Sequence, residues 1–469
     1  MNSTVRWCGS VFWIICGTWQ QWGHAHGFGE RYDLPIPLSY FVVGACATVL
    51  LTFIAVAMMG HKPPAPQAAI RAFNWRVPRV AHLFCQTLGL GLLGLTTWTA
   101  WAGTGDPLMN FAPTWIWIAW WIGLSLFSAF VGNLWPALDP WRTSFEWMQA
   151  LLRHLGCTRT TLGWVWPQPL GVWPAVFLLL GWSWLEVIYA LPSSPHRVGW
   201  AIVAFSLLQW IGMFCFGREV WQGHADVFAL YFAQLGRLAP VRASPDGRHL
   251  ILCRPAMMSA ATARAGEVGF VFAMLATVLF DGLHGSAPWL MFQAVFDRGV
   301  PRGFDVNGYI AGGLGLVLVW LCLTLAYGLT CWMTSRWLKT PGSTQIAQLF
   351  VPALLPIAVG YLVAHNFSGL IIQGQHLLTL ASDPLGRQWN LWGTAGRPID
   401  IGLIDAATTW YVALTAIVLG HGVSVWVSHR LALATVPTPA AAIRLCVPLT
   451  VLMIGYTALS LVAIAEPLV

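Results

Sequence analysis

His26, Asp281, His365, His376 and His421 are the residues whose type and setting suit a divalent metal ion. Imidazole nitrogen and carboxylate oxygen are the donors that Zn and Cu accept, and a bound water then loses its proton near neutral pH. His26 follows Gly23-His24-Ala25, so cleavage after Ala25 would make it the first residue. Its free amine and imidazole would then form a chelate. Asp281 and His284 in Phe280-Asp281-Gly282-Leu283-His284 stand three apart and share a side of a helical turn.

His365 lies within an apolar stretch, where an imidazole must be hydrogen-bonded, metal-bound or in a wet cavity. His376 continues its helical face, but three turns, about 16 Å, separate them unless the helix breaks near Gly374. His421, between Gly420 and Gly422, is in a second such stretch and is expected to meet His365 across a helix interface. Two carboxylates complete the candidates. Asp383, in the loop Ser382-Asp383-Pro384-Leu385-Gly386-Arg387, would position a water or take its proton. Glu186, in Trp182-Ser183-Trp184-Leu185-Glu186, needs a partner, a proton or a hydrated cavity in an apolar stretch, and could orient a ligand histidine. Glycine-rich phosphate loops, zincin motifs and nucleophile elbows are missing from the sequence, which leaves nucleotide-driven pumping and serine hydrolysis without support.

These residues sit in a chain made for lipid. Of 469 residues, 57% are hydrophobic and 9% charged, against about 25% charged in soluble proteins. The mean hydropathy is +0.66. Soluble, disordered and coiled-coil classes are excluded together. The net charge of +7 is spread singly through loops, the pattern of helix orientation in a bilayer rather than of a nucleic-acid surface.

Residues 1–25 read as a signal peptide, with Arg6 before the 13-residue apolar run from Trp7 to Trp19. Residues 26–469 then form one transmembrane helical-bundle domain. Ten apolar stretches lie near 38–59, 83–102, 113–131, 170–190, 199–217, 266–281, 309–333, 350–372, 408–428 and 443–463. Their length suits helices rather than the short alternating strands of a barrel. With the mature N-terminus outside, seventeen Lys and Arg fall on the inner side and six on the outer. That asymmetry supports a periplasmic N-terminus in an inner membrane. The many Trp residues are read as interfacial anchors and lipid-facing bulk. The cysteines after the signal, none in an outer loop, are read as buried small apolar residues. The inner-side histidines, including His82 and His429, are read as interfacial or solvated.

Several stretches together resemble a family of bacterial integral membrane proteins known as membrane-bound fenitrothion hydrolases. They are Ala25-His26-Gly27-Phe28-Gly29-Glu30-Arg31-Tyr32-Asp33, Trp135-Pro136-Ala137-Leu138-Asp139-Pro140-Trp141-Arg142, Phe280-Asp281-Gly282, Ala364-His365-Asn366 and the loop Ser382 to Gly393. The similarity runs from residue 24 to about 430 and departs at His224 and Asp226, where a Gly-Glu pair is expected. It carries over no catalytic residue. It implies hydrolysis of a small, neutral, apolar phosphotriester or thiophosphotriester drawn from the lipid bilayer, and a homologous second subunit as partner. A transporter or metal-handling protein built on the same His and Asp residues is the alternative.

Overall fold

The computed structural model describes residues 24–27, 30–59, 73–252, 264–284, 286–301, 303–339 and 342–465, with the side chains of 24–33, Met59 and Phe73 excepted. Of the expected signal peptide, residues 1–25, all but His24 and Ala25 lie outside the described residues, as do Lys62, Arg71, Arg254 and Arg302. The fold is 74% helix with almost no strand. It is an all-α bundle.

Among the described residues, nine helices are long and apolar enough to cross a membrane. They are α1 (Leu38–Met59), α2 (Arg79–Ala102), α3 (Phe111–Phe130), α5 (Gln168–Ile188), α6 (Pro195–Phe216), α11 (Tyr309–Leu338), α12 (Ser343–Gln373), α14 (Ala406–Thr435) and α15 (Pro439–Ala465). The shorter helices between them are α4 (Pro140–His154), α7 (Arg218–His224), α8 (Val227–Leu235), α9 (Glu267–Leu283), α10 (Ala287–Gly299) and α13 (His376–Ser382). The expected sixth crossing is a bent pair: α9 and α10 meet at 91°. His284 leaves the helix with extended backbone and Pro288 opens the next, so the turn cannot continue straight. Several helices outrun their apolar stretches by a turn or more, because polar flanks still satisfy their backbone within the helix.

Successive crossings alternate between two ends of the bundle. The upper end holds the start of α1, the ends of α2 and α15, and the loop after α12. A hairpin of β1 (His24–Gly27) and β2 (Glu30–Asp33) pairs there, with His26 opposite Arg31, and β1 lies against α14 and α15. The lower end carries a four-stranded sheet in the order β3 (Phe73–Arg76), β6 (His249–Leu252), β5 (Val241–Ala243), β4 (Gly132–Asn133).

Two lower segments fold back into the bundle instead of lying in solvent. The carbonyl of Leu138 abuts Gly89, ten residues or about 15 Å into α2. Asp139 then caps α4 by accepting from the N–H groups of Trp141 and Arg142 at 3.0 and 3.1 Å. Asp226 caps α8 in the same way, accepting from Phe228 and Ala229, both at 3.1 Å. Phe228 of α8 packs edge-on against Trp120, Trp182 and Phe205, with ring centroids 4.5 to 5.1 Å apart. Part of the Trp content is therefore internal: Trp121, Trp135, Trp141 and Trp221 are buried. This corrects the assignment of those residues to anchors. The aromatic cores of these re-entrant pieces need bulky partners, and Trp supplies the area. Cys157 and Cys322 are exposed, and His429 is buried, again against expectation.

Candidate functional site

α9 and α12 bring two of the candidates into contact. His365 Nε2–H donates to Asp281 Oδ2 at 2.7 Å, across 84 residues of sequence. α9 is buried along most of its length, and near its upper end Asp281 keeps its side chain 37% exposed beside His365. α12 presents Tyr361 and His365 one turn apart on the same face. Glycine at 282 matters here. A Cβ at that position would stand 3.2 Å from the Tyr361 hydroxyl, 3.6 Å from the Ala463 carbonyl and 4.0 Å from His365 Nδ1. These three polar atoms thus border a space kept open by the missing side chain. The Tyr361 hydroxyl is buried and has no hydrogen-bond partner among the described residues. Such an atom is costly unless something occupies that space with it.

A second carboxylate belongs to the same neighbourhood. Glu186 sits on a π-helical turn ending α5, Trp184–Ile188, and accepts from Trp121 Nε1 at 3.1 Å. It interacts electrostatically with Asp281 and with Tyr231 of α8, and His284 also interacts with Asp281. The His284 ring also lies 5.2 Å from that of Trp289.

The remaining candidates stand elsewhere. Asp383 is nearly buried, and both of its oxygens are used: Oδ1 accepts from Arg387 N–H at 2.9 Å and Oδ2 from Gln388 N–H at 2.7 Å. It organises the loop after α13, which docks on the α2–α3 turn through Thr104 N–H to the Leu385 carbonyl at 2.9 Å. No hydrogen bond or ion pair joins it to Asp281 or His365 among the described residues.

His376 begins α13 beyond the break at Gly374, where the helix stops, and makes no such contact with the pair either. His421 does not meet His365. Gly420 is pressed against the carbonyl of Pro356, nine residues or about 13 Å down α12 from His365. His421 is fully buried there, its Nδ1 toward the Ile417 carbonyl at 2.9 Å.

A metal ion can be tested against these donors. Asp281 and His365 are adjacent, but no group of three His, Cys, Asp or Glu side chains converges among the described residues. The side chain of His26 lies outside those described, while the backbone of its strand runs along α14 and α15 at this same end.

No family model, curated protein or solved structure matches the chain. The site must be argued from its own atoms. Sequence reasoning missed Tyr361, although its spacing of four from His365 was the available signal. It also missed Trp121 and Tyr231, which carry no pattern linking them to Glu186.

Proposed function

We propose that the chain is a hydrolase of neutral, apolar organophosphate esters, with its site at the outer face of a bacterial inner membrane. The arrangement around His365 carries this reading. Its imidazole is oriented by Asp281, its Nδ1 is left as a base, and an unpartnered Tyr361 hydroxyl borders the same open space over Gly282. The substrate class rests on the family resemblance, and the outer placement on the Lys and Arg asymmetry. A neutral triester partitions into the bilayer and would reach an intramembrane site already concentrated.

In this reading His365 Nδ1 takes a proton as a water oxygen attacks phosphorus. The new P–O bond forms as the bond to the aryloxide breaks, and the electron pair leaves with the aryloxide. Asp281 holds the tautomer and stabilises the imidazolium, which then releases its proton to solvent or to the leaving group. Tyr361 donates to the phosphoryl oxygen, or to sulfur in a thiophosphate, as charge builds there. Release of aryloxide by purified protein in detergent, with no gradient, tests the assignment. Turnover unchanged in His365→Ala would overturn it.

A metal-assisted form is favoured by the course of β1 beside α14 and α15. Asp281 and His365 would hold a divalent ion, Zn or Cu, with His26 as a further donor. Such an ion supplies a water of lowered pKa. Elemental analysis of wild type beside His26→Ala and His365→Ala decides this form. Protein that holds no metal after exposure to Zn, Cu and Mn would end it and leave the metal-free base.

The bend between α9 and α10, next to an intramembrane carboxylate, favours a transporter as the second reading. Uptake into vesicles without product would favour that reading.

A further inference from the structure

The lower end holds a cavity that the hydrolytic site does not use. Its volume is about 660 Å³, and four arginines line it: Arg142 and Arg153 of α4, Arg218 of α7, and Arg248 from the β5–β6 turn. Arginines that only orient helices would be scattered over separate loops. These converge from three separate segments that span residues 142 to 248.

Three carboxylates share the cavity. Glu146 receives Arg142 Nε–H at 2.9 Å and also Arg218, while Arg218 pairs in addition with the exposed Glu219 at 3.0 Å. Asp246 is held below the usual carboxylate range by the Ser244 hydroxyl and by the Arg248 N–H at 3.1 Å, so it stays charged. Four guanidinium groups against three carboxylates leave one positive charge, the complement of one phosphodiester. Arg153 has no ion-pair partner among the described residues. His82 of α2, also in the lining, has a buried Nδ1 without a hydrogen-bond partner among the described residues.

Apolar side chains adjoin the lining residues in sequence. Val80, Leu83 and Phe84 of α2 and Trp147 and Leu151 of α4 are all exposed and stand within two residues of His82, Glu146 or Arg153. A soluble anion has no use for such flanks, whereas acyl chains would cover them. Basic pockets between spanning helices on the positive side are also where anionic lipid headgroups collect.

We propose that this cavity binds the phosphate of an anionic phospholipid from the arginine-rich face, with Arg153 and Arg248 as the principal donors and the chains along α2 and α4. Binding is to be measured on full-length protein in neutral detergent, from the rise in unfolding midpoint with added phosphatidylglycerol, phosphatidylcholine or inorganic phosphate. Phosphatidylglycerol is expected to stabilise the protein well beyond the other two. Arg153→Ala with Arg248→Ala should weaken its apparent affinity roughly thirty-fold, while Arg336→Ala, at the same end but outside the cavity, should not. Equal stabilisation by phosphatidylcholine, full stabilisation by inorganic phosphate, or an unchanged response in the double variant would each overturn the proposal. Native mass spectrometry of the wild type reads the site without substitution. Retained phosphatidylglycerol supports it, and protein that retains none on supplementation counts against it.

Discussion

The hydroxyl of Tyr361 lies 3.2 Å from the point where a Cβ would stand on Gly282. That distance is too short for comfortable carbon–oxygen packing, and the hydroxyl is already buried without a hydrogen-bond partner among the described residues. Gly282→Ala should therefore fill the space where the reacting atoms are placed, while disturbing only one side chain. Turnover is expected to fall by about 100-fold, the scale of a misplaced reacting atom, with the unfolding midpoint little changed. Tyr361→Phe should cost about ten- to a hundredfold in kcat, less than a full oxyanion-hole donor at the upper end of its range. Rates and midpoints measured together on both variants check this. A Gly282→Ala enzyme of full activity would remove the open space from the mechanism.

Asp281 and His365 make the second prediction. Asp281→Asn retains a side chain of the same size but no longer fixes which imidazole nitrogen carries the proton. A loss of about 10⁴-fold is the outcome when an orienting carboxylate is replaced in this way in the serine-protease triad. Here a fall of about 10² to 10⁴-fold in kcat is expected, with KM nearly constant because the pair does not grip the apolar part of the substrate. A change confined to KM would place the pair in binding instead.

Asp383 should behave differently. Its carboxylate accepts two backbone N–H groups inside a docked loop, so Asp383→Ala leaves those donors without their partner. A loss of about 1–3 kcal/mol is expected, read as a lower midpoint and faster proteolysis between residues 383 and 400. The chemical step should be nearly unaffected in protein that remains folded. A large fall in kcat at full stability would return Asp383 to the catalytic candidates.

The all-helical bundle was legible in the sequence because lipid permits so few solutions: long uncharged runs must be helices, although their polar flanks carry several of them a turn or more further. The re-entrant segments were not. Asp139 and Asp226 cap these segments, but the depth of a capped helix depends on what it packs against, here Gly89 and a set of Trp rings. Asp281 and His365 were legible as costly polar residues in apolar runs. Their pairing was not, since it is set by how α9 crosses α12. His421 drew the same inference by type. Its level along α12 is fixed by glycines whose partners only the packed bundle reveals.

Those glycines give the last prediction. A Cβ at Gly420 would meet the carbonyl of Pro356 at 2.6 Å, and one at Gly360 would meet the carbonyl of Ala416 at 2.5 Å. Both contacts are with backbone, which cannot rotate away as a side chain could. Close approach of α12 and α14 therefore depends on small residues, as elsewhere in membrane helix pairs. Gly420→Ala should force the helices apart and cost about 1–3 kcal/mol, and Gly420→Leu should prevent stable folding in detergent. His365 is borne on α12, so the alanine variant should also lose activity through displacement of the Asp281 contact. Unfolding midpoints and turnover on the same preparation test both effects. An alanine variant as stable as wild type would show that α12 and α14 do not pack as closely as the glycines require.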